Sequence, residues 1–137
     1  MILIITEARK YVDDSFTPYM RRRDKDVIGA HSPEEGMRLW NGNADIEAVV
    51  VSAFGARADE FHPQIASLLN FIRDEARQRP AAPLLIGTSL DLSHEEHFAA
   101  HGFVFTDTRQ LKNLLSERLR LKHPIGKTLS EAASASA

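Results

Sequence analysis

The sequence predicts an α/β three-layer sandwich, a five-stranded parallel sheet with helices on both faces. Three observations carry that expectation. Five short apolar runs alternate with segments of helical periodicity. The strongest run, Ala48-Val49-Val50-Val51, is uncharged and mostly β-branched, as suits a strand buried on both faces. Two capping boxes, at Ser32 and Ser93, open helices between runs.

Ile2 to Ile5 is continuously apolar and reads as the first strand. Val12, Phe16, Tyr19 and Met20 then keep helical spacing, interrupted by Pro18. Either the helix kinks there, or it starts there with Thr17 as N-cap and Pro18 at the first helical position. Val27 to Ala30 reads as the second strand. Ser32-Pro33-Glu34-Glu35 starts the next helix, with Glu35 closing the box, and Asn41-Gly42-Asn43 stops it. After the third strand, Phe61, Ile65, Leu68, Leu69, Ile72 and Ala76 share one helical face. Asp74, Glu75, Arg77 and Arg79 take the opposite face, and Pro80 ends the segment. Leu84 to Gly87 is the expected fourth strand. Ser93 to Glu96 opens a short helix that Gly102 terminates. Phe103-Val104-Phe105 is the expected fifth strand, and Asp107 with Gln110 caps a last helix carrying Leu111, Leu114, Leu115 and Leu119. Residues 1–122 form the expected domain. Residues 123–137, Ala/Ser-rich from Gly126 on, read as a flexible tail or linker.

The balance of the chain narrows its function. At 137 residues it fits one domain with a single core, and 43% hydrophobic with 26% charged residues is an ordinary globular composition. A formal net charge of −2 argues against nonspecific nucleic-acid binding. The absence of cysteine removes disulfides, thiolate metal sites and thiol catalysis. The opening Met1 to Ile5 is too short for a signal segment, and no run reaches membrane-spanning length, so a cytoplasmic protein without membrane contact is expected.

Strands and helices in this rhythm fit the flavodoxin-like strand order 2-1-3-4-5, with right-handed crossovers. In such sheets, ligands gather outside the carboxyl ends of the strands. That rim is expected to present Thr6 and Glu7, then Ser52, then Thr88 and Ser89, then Thr106 and Asp107. With these residues at these ends, residues 1–122 resemble the receiver domains of bacterial response regulators. That family carries an acidic pair after strand one, a phospho-accepting Asp after strand three, Ser or Thr after strand four, and Lys after strand five. Matched in turn, the pair becomes Thr6-Glu7, the acceptor becomes Ser52, the hydroxyl is kept as Thr88, and the Lys becomes Asp107. Aspartyl phosphorylation needs a carboxylate nucleophile, Mg²⁺ held by several oxygens, and a cation facing the phosphoryl charge. Three of those four family positions are unfilled here, so the resemblance implies a receiver-like pseudo-receiver without phospho-relay.

A narrower resemblance runs through Leu68-Leu69-Asn70-Phe71-Ile72-Arg73, Arg77-Gln78-Arg79-Pro80, Pro83-Leu84-Leu85-Ile86-Gly87 and Gly102-Phe103-Val104-Phe105-Thr106-Asp107-Thr108. These stretches, about half the chain, are similar to the N-terminal wing domain of bacterial ornithine/lysine/arginine decarboxylases. Those wing domains lack the phospho-acceptor and serve in oligomer assembly and regulator contact. The pyridoxal-phosphate domain of that family has no counterpart here, so no decarboxylase activity is implied.

Other signals read blandly. His94, His97 and His101 could form a metal-binding stripe on one helix face, but His94-Glu95-Glu96-His97 lacks zincin spacing and a solvated face is the simpler reading, so no metal or other cofactor is expected. Arg21-Arg22-Arg23 and Lys25 are interleaved with Asp24 and Asp26, at a helix end that favours cations. Gly126-Lys127-Thr128 lacks the upstream Gly and strand of a phosphate loop, and Ser52 lacks the flanking glycines of a nucleophile elbow.

The leading expectation is a non-catalytic regulatory or assembly domain that contacts a protein partner or a second copy of itself. By the receiver resemblance, its contact face would include His97, His101, Phe103, Arg109, Lys112 and Arg120. The alternative is a small-ligand or nucleotide sensor using the strand-end crevice, lined by Glu7, Ser52, Thr88 and Asp107. A third reading is a hydrolase-type acid/base pair of Glu7 and Asp107.

Overall fold

The apolar run Ile2–Ile5 forms strand β1 with all four residues buried. A computed structural model describes residues 1–53 and 63–121. β1 is followed by helix α1 over residues 9–21, then β2 (Val27–Ala30), α2 (Pro33–Gly42) and β3 (Ala48–Ser52). The second half adds α3 (Pro63–Ala76), β4 (Leu84–Ser89), α4 (Glu95–Ala100), β5 (Val104–Asp107) and α5 (Leu111–Arg118). The sheet order is β2-β1-β3-β4-β5 and every pairing is parallel. This is the expected flavodoxin-like α/β topology. No helix among the described residues is long and apolar enough to cross a membrane.

Strand alternation sorts the core into two layers. Leu3, Ile5, Val49 and Val51 pack with Trp40, Leu68, Ile72 and Phe98, from α2, α3 and α4. Ile2, Ile4, Val50 and Ile86 pack with Val12, Phe16, Met20 and Leu115, from α1 and α5. The α3 stripe Ile65, Leu68, Leu69, Ile72 and Ala76 is buried as its spacing requires. Phe61 and the tail from residue 122 fall outside the described residues.

Several local expectations need correction. Thr17 is not an N-cap, because it and Phe16 already have helical backbone angles, so the helix does not start at Pro18. Residues Val12–Phe16 form a π-helical turn that runs straight into Thr17–Arg21. Proline has no N–H to give and its ring crowds the carbonyl four residues back, and widening the preceding turn relieves both problems. The helix before β5 starts earlier than Ser93: Asp91 caps a 3₁₀ turn, Leu92–His94, by accepting from the Ser93 amide at 3.0 Å. Asp107 does cap the last helical segment, but its amide partner is Arg109 at 2.8 Å rather than Gln110. Strand β5 begins at Val104, because the Phe103 amide is spent on the Phe98 carbonyl at the end of α4 (3.0 Å). Arg79 is only partly exposed. Its guanidinium lies 3.4 Å from the centroid of the buried Trp40 ring and donates to the Trp40 and Asn43 carbonyls, closing the end of α2.

Two glycines allow the helices to seat closely on the sheet. A Cβ on Gly87 of β4 would stand 2.1 Å from the Phe98 ring, and one on Gly36 would stand 2.6 Å from Ile5 Cδ1. Gly87→Ala should therefore cost about 1–3 kcal/mol of unfolding free energy through overpacking. Gly42→Ala, with nothing within 4 Å of the added carbon, should instead gain about 0.5–1 kcal/mol from helix propensity. Urea denaturation of both variants checks the contrast, and equal midpoints would contradict it.

Candidate functional site

Parallel register brings the strand ends to one edge. Ser52 at the end of β3 pairs with Thr88 of β4, and Ser89 pairs with Asp107 of β5. Beneath this edge opens a cavity of about 500 Å³. Its walls come from the loop after β1 (Thr6, Glu7, Ala8), from Ser52 and Ala53, and from the loop after β4. Tyr11 of α1 and Leu111 of α5 form its apolar side. Of the positions expected at the rim, Thr6, Glu7, Ser52, Thr88 and Ser89 line this crevice, whereas Thr106 and Asp107 are not among the lining residues.

Most of the polar lining is bonded within the protein. Thr6 Oγ1 accepts from the Ala8 amide at 3.2 Å, which shapes the turn leaving β1. The Thr88 and Thr108 hydroxyls share a hydrogen bond at 3.1 Å. Ser89 Oγ accepts from the Asp91 amide at 3.0 Å and shares a 2.8 Å bond with His94 Nδ1. That contact buries His94 to 2% exposure, which no sequence signal anticipates. Tyr11, Leu90, Asp91, His94 and Leu111 are crevice residues that the sequence reading missed. Leu90 stands at the lip with 69% of its surface exposed.

Asp107, where the receiver family has Lys, is held by its neighbour. Arg109 donates through Nε to Oδ1 at 3.0 Å and through Nη2 to Oδ2 at 2.7 Å. The side-chain and backbone hydrogen bonds from Arg109 hold the Asp107 carboxyl down at about 2. This carboxylate is an N-cap and an ion-pair partner. A clamped, fully ionised carboxylate is a poor proton donor, so the geometry lends no support to a Glu7–Asp107 acid/base pair.

The expected contact face is not a single open surface. Phe103 is 2% exposed and belongs to the core layer under α3, a correction that follows from its position between the Gly102 turn and β5. Gly102, at φ +82°, turns the chain so that Phe103 points inward. Lys112 donates to Ser15 and stands over the rings of Tyr11 and Tyr19, at 5.7 and 5.3 Å from their centroids. Tyr19 in turn bonds Ser116 at 2.7 Å, so these groups join α1 to α5. His101 shares a 2.9 Å hydrogen bond with Asn70 of α3. Burial, helped by the charges of Arg73 and His97, pushes the His101 imidazole below its ordinary range. His97 is half-buried, while Arg109 and Arg120 are exposed. Among the described residues no group of three or more His, Asp or Glu side chains could hold a metal ion.

Compared with known proteins, the chain matches no protein-family model and no curated protein significantly. Its function must be read from the side chains themselves.

The clamp on Asp107 gives a signed expectation. Its folded value near 2 lies below the ordinary ~3.9. The pair's stabilisation is therefore present above the unfolded value and is lost as pH falls through the folded one. An NMR titration of the Asp107 carboxyl should give a midpoint at about 2. Arg109→Ala should move it up towards 3.8, and an unmoved midpoint would contradict the clamp.

Proposed function

We propose that this chain is a receiver-like, non-catalytic regulatory domain that takes no phosphoryl group on Asp and acts through contact with a protein partner or a second copy. The observation that carries the reading is the chemistry of the strand ends. Ser52 stands at the end of the central strand, Thr6 is tied into its own turn, and Asp107 is clamped by Arg109. A phosphoryl group there would have no carboxylate nucleophile at the position of Ser52. It would face Glu7 and Asp91, with no Lys or Arg among the described lining residues to meet its charge.

Apolar surface supports the contact role. Leu90 and Leu92, 69% and 64% exposed, lie on the segment between β4 and α4. Adjacent exposed leucines are surface that a partner would cover. A second reading, a small-ligand sensor, is favoured by one specific observation, the cavity of about 500 Å³ at the strand ends.

Light scattering across a concentration range, with and without acetyl phosphate and Mg²⁺, tests the proposal. The expected result is a mass that ignores the phosphodonor, with self-association if the partner is a second copy. A mass change that requires the phosphodonor would overturn it.

A further inference from the structure

The crevice also restricts what could occupy it. We infer that it binds a small molecule with an apolar, ring-sized body and no negative charge, and that it rejects nucleotides. This rests on the sensor reading and names its ligand class.

Size comes first: about 500 Å³ lies within the range of roughly 300–1,000 Å³ typical of small-molecule sites. The walls come next. Ile4, Tyr11, Leu90 and Leu111 supply aliphatic and aromatic surface, with Ala8 and Ala53 leaving room. The hydroxyls of Thr88, Thr108 and Ser89 are neutral and already bonded to protein groups, so they can orient a ligand but cannot neutralise a charge.

Charge decides the class. Among the described lining residues the carboxylates are those of Glu7 and Asp91, and there is no Lys or Arg. Asp91 accepts from the Ser93 amide and hydroxyl, which hold its carboxyl below the usual range and keep it ionised. Two cations of the last helical segment are engaged within the scaffold: Arg109 with Asp107, and Lys112 with Ser15 and the outer tyrosine face. A triphosphate would meet two carboxylates and no Lys or Arg among the described lining residues, which opposes binding. A neutral or cationic molecule escapes that penalty and covers the exposed Leu90 at the lip.

The test uses N-phenyl-1-naphthylamine, an uncharged fluorescent amine, titrated into the full chain. Saturable binding is expected, with the anionic probe anilinonaphthalene sulfonate and MgATP each at least ~10-fold weaker. Ala8→Trp and Ser52→Phe, which fill the crevice from two sides, should each weaken the neutral probe by ~10-fold or more. Amide shift mapping on the unmodified chain provides a readout independent of variant folding. Changes centred on Thr6, Ser52, Thr88 and Leu111 are expected. Neutral-probe binding that ignores both folded variants, or shifts centred elsewhere, would overturn the inference. MgATP binding in the crevice would overturn the ligand class while leaving the sensor reading. No crevice shift with any probe would overturn both.

Discussion

The structure depends on a central strand with no solvent-facing side. Ala48 to Val51 of β3 are all fully buried, so both faces must be covered by helices, and a parallel sheet with helical crossovers meets that demand. Parallel pairing then fixes where chemistry can occur, because all five strands end at one edge. Close seating of the cover reinforces it: Gly87 admits the Phe98 ring where any larger residue would hold α4 off the sheet. The crevice is a product of the same register, as Ser52, Thr88 and the loop after β1 are brought together by strand pairing.

Electrostatics at that edge then set its character. The carboxylate at Asp107 is paired within its own turn by Arg109, so it caps a helix and is not among the residues that line the cavity. Lys112 is similarly absorbed by the seam of Ser15, Tyr11 and Tyr19 that binds α5 to α1. Arg109 and Lys112 therefore hold the scaffold, and the described residues that line the cavity are apolar, neutral polar or acidic. A site so arranged suits recognition and contact better than phosphoryl chemistry.

Much of this was legible in the sequence. β1, β2 and β3 were readable because continuous β-branched runs have few alternatives to a buried strand. The strand order followed from the alternation of elements, and the Ser32 cap was visible as a local hydrogen-bonding pattern, with its hydroxyl 3.1 Å from the Glu35 amide. Less legible features depend on contacts between distant residues. Phe103 reads as a strand residue by composition, yet it is a core anchor because its amide answers the end of α4. His94 reads as polar surface, yet it is buried and shares a hydrogen bond with Ser89, five residues away across a turn. Pro18 signals a disturbance without revealing that a widened turn absorbs it. Topology placed Thr6, Glu7, Ser52, Thr88 and Ser89 at the edge where the crevice opens, but a cavity is defined by the space that side chains leave, and no periodicity encodes that.

The central claim is that phosphoryl chemistry has no foothold at the strand ends. Intact-mass spectrometry after incubation with acetyl phosphate and Mg²⁺ tests it most directly, on the natural chain and on Ser52→Asp. The account predicts that neither gains a phosphoryl group, since restoring the carboxylate alone leaves the metal ligands and the cation missing. Stable addition of one phosphoryl group to the natural chain would contradict it.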